Sequence, residues 1–382
     1  MEFVDELIGG AKEAAWPLLR TDFALSYVQI GLIMSVPAII ADLVEPALGI
    51  LADIWRRRVL ILAGGVIFCV SAALTGISHK FWLLLLSFIL FYPASGSFVN
   101  VSQIILMDSE PLRREQNMAR WTFAGSIGMA AGPLLAGVSS ALGASWRGAF
   151  LFSTALSAVI MVRVWRSRFP AESSRAEDKG WPAFRDGLRG AGKALLRAAL
   201  LRWLALLRFS DLMLDVLFGF LALYFVDVVG VPAVEAVLAL TLWTVSGLVG
   251  DFLVIPILER VPALPYLRAT AVAMITAFAL FLLAAPLGIK LALLGLIGLL
   301  KSGWYAILEA RLFSSLPGQA GTALAVSNVA GLVGSLIPLG LGAVAEAAGL
   351  KVMMWLLLAG PVMLLLLLPR ERHQQGGHRG NE

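Results

Sequence analysis

Twelve times along this chain, an apolar run of about 20 residues is bounded by charge, proline or glycine, and a helix of that length covers the roughly 30 Å hydrocarbon thickness of a bilayer. The runs lie at approximately 3–20, 26–52, 58–77, 81–107, 118–142, 147–166, 205–229, 234–258, 266–285, 290–313, 321–346 and 351–368. Composition agrees, because only 14% of the 382 residues are charged and 59% are apolar. That is too little polar surface to cover the two or three domains a soluble chain of this length would form. In hydrocarbon every backbone polar group must be bonded within its own segment, so the expected fold class is an all-α membrane protein of twelve transmembrane helices. The first run is the weakest, since Asp5, Glu6, Lys12 and Glu13 interrupt it. It lacks the basic leader and small-residue cleavage site of a secretory signal.

The net charge of +5 would suit nucleic acid, but that reading needs a basic face on a soluble fold, and the basic residues sit between apolar runs. They read as topology. Counted over alternate connections, 23 Lys and Arg fall on the side of the first terminus and five on the other, with Lys12 and Lys301 inside runs. The positive-inside rule then puts both termini in the cytoplasm, an answer that requires an even number of spans and so retains the charged first helix. The longest connection divides the chain into residues 1–166, a six-helix bundle, a linker at 167–204, a second six-helix bundle at 205–369 and a disordered tail at 370–382. Within the linker, Arg185, Arg189, Lys193 and Arg197 recur every four residues, with Phe184, Leu188 and Leu195 on another face. This predicts a basic amphipathic helix, either anchored on anionic lipid or simply solvated. Three acidic pairs, Asp5 and Asp211, Glu45 and Asp251, and Asp53 and Glu259, share one spacing of 206 residues, as a duplicated half would give.

The stretch after the second run reads Gly49-Ile50-Leu51-Ala52-Asp53-Ile54-Trp55-Arg56-Arg57-Arg58. It resembles the signature that major facilitator superfamily transporters carry between their second and third helices, matching at Gly49, Leu51, Asp53, Arg57 and Arg58 and departing at Ile54 and Arg56. In the fifth run, Gly125, Gly128, Gly132, Pro133 and Gly137 resemble the G-x-x-x-G-P-x-x-G pattern of that superfamily's antiporters, although small residues also serve ordinary helix packing. Within the superfamily, the start of the chain (Asp5, Gly9, Pro17) and the run from Tyr92-Pro93 to Gly132-Pro133 are loosely similar to fosmidomycin-resistance exporters. The resemblance implies two pseudo-symmetric six-helix bundles around a central cavity, with helices 1, 4, 7 and 10 lining it, 2, 5, 8 and 11 flanking it, and 3, 6, 9 and 12 facing lipid. It also implies a cytoplasmic gate in which Asp53 meets the start of span 11 near Gly321 and Thr322, and Arg57 pairs with Asp108. The interior charges fit this plan, because they fall on spans 1, 2, 7, 8 and 10 and are absent from the interiors of 3, 6, 9 and 12.

Measured at 1.5 Å per residue, Lys12, Asp42 and Glu45 lie about 12–16 Å deep and Asp215, Asp251 and Lys301 about 12–18 Å deep. Lys12 is therefore expected to pair with Asp42 or Glu45, as a structural ion pair or as one that opens and reforms during transport. The candidate substrate and proton-coupling residues are Asp5, Lys12, Glu13, Asp42, Glu45, Asp211, Asp215, Asp251, Lys301 and Glu309, with Trp304 and Tyr305 as an aromatic wall or ordinary packing. Acids outnumber bases inside the spans, and burial without a partner favours the neutral form of a carboxylate, so proton coupling is available without histidine. Asp42, Asp215 and Asp251 are the preferred coupling groups. A single cysteine, Cys69, and histidines confined to a loop and the tail (His79, His373, His378) offer no intramembrane catalytic cluster or metal site.

The function read from this pattern is secondary active transport by alternating access, as proton-coupled efflux (antiport) of drug-like or organic anionic compounds across a cell's inner membrane. The alternatives are an importer of a sugar, organic acid or other metabolite, and, from another class, a membrane-embedded lipid-modifying enzyme. Expected partners are a small-molecule substrate, protons and membrane lipids, with no nucleic acid, no cofactor and a monomeric state.

Overall fold

The computed structural model describes residues 1–54, 56–109, 114–167, 198–315 and 331–369, and among these the secondary structure is helical, with no strand. In the first half, α1 is Glu2–Phe23, α2 is Tyr27–Ile54 and α3 is Arg57–Ile77. Helix α4 runs through Phe81–Ser95, a π-helical turn at Gly96–Asn100 and Val101–Ser109, followed by α5 (Arg114–Ala141) and α6 (Ser145–Arg166). In the second half, α7 combines Ala198–Asp211, Leu212–Val216, Leu217–Tyr224 and Phe225–Val229. Then come α8 (Ala233–Arg260), α9 (Ala263–Leu283), α10 (Leu287–Leu300 and Trp304–Ser314), α11 (Ile337–Ala348) and α12 (Leu350–Leu356 and Ala359–Leu367).

The 206-residue spacing recurs in the helix boundaries. Helices α2 and α8 are both 28 residues long and α3 and α9 both 21, and each pair begins and ends 206 residues apart. The irregularities correspond too, because the π-turn that begins at Gly96 lies opposite the break of α10 between Leu300 and Trp304. That break is permitted by Gly303, whose φ of 76° lies in the left-handed region that disfavours any other residue.

The halves meet along two seams, α2 against α11 and α5 against α8, with α1 and α7 in contact between them, while α3, α6, α9 and α12 pack only within their own half among the principal contacts. Outer helices accordingly expose large apolar side chains, such as Val66, Trp165, Val272 and Leu366, as a lipid-facing surface requires. Eleven of the described helices are long and apolar enough to cross a membrane, and α1 is too charged to qualify by composition. It is nonetheless a full-length helix, because protein surrounds it. Helices α5, α6, α7 and α8 all pack on it, and Trp16, Ala15, Val4 and Leu19 are fully buried.

The glycines of α5 make that burial possible. A Cβ on Gly132 would stand 2.5 Å from Ala11 N and 2.6 Å from Leu7 O, and one on Gly128 would stand 2.2 Å from Phe3 O. Pro133 packs beside Gly10, and Gly137 faces Val237 of α8 across the seam. Small residues thus let two backbones approach within contact distance, as membrane helix pairs require when no aqueous hydrophobic effect drives them together. The basic helix expected near 184–197 and the tail after residue 370 lie outside the described residues.

Replacing Gly132 with Ala is expected to lower stability by about 2 kcal/mol through overpacking at a backbone contact. Gly288→Ala, where nothing lies within 4 Å of the new methyl, is expected to change it by less than about 0.5 kcal/mol. Denaturant-resolved melting of both variants in detergent checks the contrast.

Candidate functional site

Between the halves lies a cavity of about 380 Å³ that extends from mid-membrane towards the face carrying the termini. Its first wall is Glu2 and Glu6 of α1, Asn100 and Gln103 of α4, and Trp121, Ser126 and Met129 of α5. Asp215 and Phe218 of α7, Trp243 and Asp251 of α8, and Lys301 of α10 form the opposite wall. Lys301 reaches this position because the helix ends beside it and because Gly247 of α8 leaves room: a Cβ there would stand 3.2 Å from Nζ. Its ammonium rests over the Trp243 ring, 5.1 Å from the centroid. Among the described residues neither Lys301 nor any of Glu2, Glu6, Asp215 and Asp251 forms an ion pair.

The other predicted site residues are placed elsewhere, and several expected pairings are corrected. Lys12 does not pair with Asp42 or Glu45. It meets the adjacent Glu13 at 2.9 Å and donates to Tyr92 Oη at 2.8 Å, while Trp16 Nε1 donates to the second Glu13 oxygen at 2.7 Å. The pair is local because α1 carries its own counter-ion one residue away, whereas depth alone says nothing about azimuth around a helix. Asp42 instead accepts from Ser335 Oγ at 2.7 Å, joining α2 to the segment leading into α11, and the Glu45 carboxylate fits against Gly96 at the π-turn of α4. Asp5 accepts from Ser95 Oγ of α4 at 2.8 Å, and Asp211 pairs with Arg208 of the same helix at 3.1 Å. Trp304 forms no cavity wall: it is fully buried and donates to Thr270 Oγ1 of α9 at 2.9 Å. Tyr305, half exposed, donates to Glu309 at 3.0 Å, one turn on. Of the three preferred coupling groups, Asp215 and Asp251 line the cavity and Asp42 does not.

In the signature segment, Gly49 belongs to the last turns of α2, and Arg58 donates to Trp165 O at 3.1 Å, tying the α3 start to the end of α6. Arg57 likewise begins α3. The side chains of Asp53 and Asp108 and residues 321–322 lie outside the described residues, so the expected gate contacts do too.

On the face away from the termini the halves are joined. Arg20, at the end of α1, forms an ion pair with Asp227 of α7, and Tyr27 Oη of α2 donates to the same carboxylate at 2.9 Å. The Tyr27 backbone N–H donates to Glu346 of α11 at 2.7 Å, which satisfies one of the free N–H groups at the start of α2. Each half is also clamped within itself at this end. Arg147 binds Asp22 and Ser78 O in the first half, and buried Lys290 donates to Tyr224 Oη and Phe281 O in the second. The described residues thus form a face where the halves are joined, a cavity between them, and two internally braced bundles.

The same architecture is found by comparison. The sequence profile of the Major Facilitator Superfamily matches residues 13–338. The chain belongs to the Major Facilitator Superfamily. Among solved structures it is similar to a bacterial homologue of the human lysosomal transporter Spinster in an inward-facing, unoccupied conformation, with 16% identity, a TM-score of 0.74, and coverage of 96% of this chain and 92% of that one. It is also similar to the nucleoside transporter NupG, with 16% identity, a TM-score of 0.76, and coverage of 96% and 95%. No curated protein matches the chain. This superfamily member is thus a multi-pass membrane transporter, and the structural likenesses, at such low identity, speak to the fold alone.

Sequence reasoning missed Glu2, Glu6, Trp121 and Trp243 in the cavity and Arg20, Tyr27, Asp227 and Glu346 at the sealed face. The first signal was available: Glu2, Asp5 and Glu6 are spaced i, i+3, i+4 and share a helix face. The second was not, because the partners lie about 200 and 319 residues apart. Asp227→Asn should loosen the sealed face and shift the population between the two exposures by up to roughly 1–3 kcal/mol. Spin labels at Ala24 and Val234 should then report a longer mean distance than in the unmodified latch, with Arg20→Gln adding little to Asp227→Asn.

Proposed function

We propose that this protein is a proton-coupled exporter of drug-like small molecules in the inner membrane of a cell, with both termini in the cytoplasm. The observation that carries this reading is the cavity between the halves, whose carboxylates come from both walls and lack direct basic partners, closed on one side by the Arg20–Tyr27–Asp227 latch. The excess of Lys and Arg on the terminal side, 23 against five, supports a cytoplasmic assignment for the open side. The cavity then loads from the cytoplasm, and breaking the latch while the terminal side closes exposes it outside. Rocking of two braced bundles accomplishes this without unfolding either.

Carboxylates of α7 and α8 are placed to couple the motion to protons. An ionised pair facing a closed, water-poor cavity is costly, whereas a protonated pair is tolerated, so proton occupancy biases which exposure is stable. Asp215 and Asp251 are the coupling groups in this reading. The charges argue against a purely anionic cargo, because the described walls hold four carboxylates and one ammonium. The α5 sequence Gly128, Gly132, Pro133 and Gly137, resembling that of antiporters, supports export by exchange.

The test is proton flux in proteoliposomes with a trapped pH-sensitive dye, challenged by lipophilic amines, zwitterions, sugars and organic acids. Antiport is expected to release protons in the direction opposite to substrate; movement in the same direction would overturn export in favour of symport. Asp215→Asn should reduce substrate-driven proton flux at least about tenfold while substrate counterflow persists, as expected when an interaction coupling two sites is removed. Asp53→Asn should slow transport without reducing the amount of inserted protein, measured as initial rates normalised to purified transporter.

A further inference from the structure

The charges around the central cavity are not mixed evenly. Among the described residues, the charged groups lining the first-half wall are Glu2 and Glu6, both on one face of α1. On the second-half wall, which also carries Asp215 and Asp251, stands the only lining cation among the described residues, Lys301, held at a helix break with its ammonium over Trp243 and with no carboxylate at ion-pair distance. Between the two poles the lining is mixed, with Trp121 and Met129 on one side and Phe218 and Trp243 on the other set among the polar side chains of Asn100, Gln103, Ser126 and Thr244. A cavity of about 380 Å³ is at the small end of ordinary ligand pockets, suited to a molecule of amino-acid to dipeptide size.

From this polarity we infer that the cargo is a small zwitterion, a compound with a protonated amine at one end, an acidic group at the other, and an apolar or aromatic body between. The inference rests on the reading of the central cavity as the transport path. The amine end meets Glu6 and Glu2 on α1, and the carboxylate, phosphonate or similar acid end meets Lys301 on α10. Neither single charge fits as well. An anion alone would face four carboxylates, and a cation alone would leave the three N–H donors of Lys301 without an acceptor and would be repelled by its charge. A zwitterion satisfies both poles and, by touching both halves at once, has different contacts in the two exposures, which is what a ligand needs in order to shift their balance. Asp215 and Asp251 stay free to exchange protons, because the cargo's amine is met by the opposite wall.

Binding to the purified full-length protein tests this with skeleton-matched triads that differ in charge, at fixed pH: phenylalanine, phenethylamine and 3-phenylpropionate; 5-aminovalerate, pentylamine and valerate; and 4-aminobutylphosphonate, butylamine and butylphosphonate. Isothermal titration and ligand-induced thermal stabilisation are the readouts. In at least one triad the zwitterion should bind ten-fold or more tightly than both singly charged relatives. Lys301→Met should reduce its advantage over the matching amine to two-fold or less while the amine still binds, and Glu6→Gln should do the same for its advantage over the matching anion. An amine or an anion binding as well as the zwitterion throughout the panel would overturn the inference, as would absence of zwitterion binding or unchanged selectivity in both variants. The two variants have opposite predicted selectivities, so a general loss of fold, checked by melting, cannot imitate the result. Zwitterion binding with no proton-linked flux would overturn proton-coupled export and leave the cargo class standing; proton-linked export of cations alone would do the reverse.

Discussion

A charge in hydrocarbon must be enclosed by protein, and the position of α1 follows from that requirement. This helix carries Asp5, Glu6, Lys12 and Glu13 within one span, a load that no lipid-facing helix could bear. It is wrapped by α5, α6, α7 and α8, and its charges are dealt with one at a time: Lys12 against Glu13 and Tyr92, Asp5 against Ser95, and Glu2 and Glu6 towards the cavity. The wrapping depends on glycines. Gly128 and Gly132 bring the α5 backbone against that of α1, so the motif that resembles an antiporter signature has a direct packing role here, whatever it adds to exchange.

Enclosure on this scale also creates the mechanics. Because α1 is shared between its own bundle and the contact with α7 and α8, the polar side chains that cross between halves are few and identifiable. Among the described residues they are Arg20, Tyr27, Asp227 and Glu346 at the sealed face; along the α2 and α11 seam, Ser35, which accepts from the Leu339 N–H, and the pair Asp42 and Ser335 add others. Bracing within each half is different in kind. Arg147 with Asp22, and Lys290 with Tyr224, fix helices that need not separate. Contacts within the bundles therefore preserve shape, and the hydrogen bonds and the Arg20–Asp227 ion pair between them bear on the balance between exposures, which is the range of energies that a bound ligand or a few protons can shift.

How much of this could be read from residues alone varies from element to element. The length and number of apolar runs, the Lys and Arg asymmetry and the 206-residue spacing are local or statistical properties, and the helix boundaries of α2, α3, α8 and α9 reproduce that spacing. The interior charges, read on spans 1, 2, 7, 8 and 10, fall on cavity-lining helices at 1, 7, 8 and 10 but not at 2, whose Asp42 and Glu45 face other helices, so lipid exposure keeps charge off the outer helices without saying which inner ones meet the cavity. Depth along each helix was legible because the rise per residue is constant. Azimuth was not. Asp42 and Lys12 lie at similar depths yet face different neighbours, and Trp304, three residues from Lys301, turns away from the cavity into α9.

By itself, then, the sequence determined that this chain crosses a membrane repeatedly, that it is built from two similar halves, and which helices can hold charge; each of these follows from the cost of placing polar groups in hydrocarbon. Only the tertiary structure decided which charges meet. The Glu2 and Glu6 pole, Lys301 over Trp243, and the Arg20–Tyr27–Asp227 latch each depend on the rotation and crossing of helices, quantities set by how glycines and bulky side chains interlock between elements far apart in the chain.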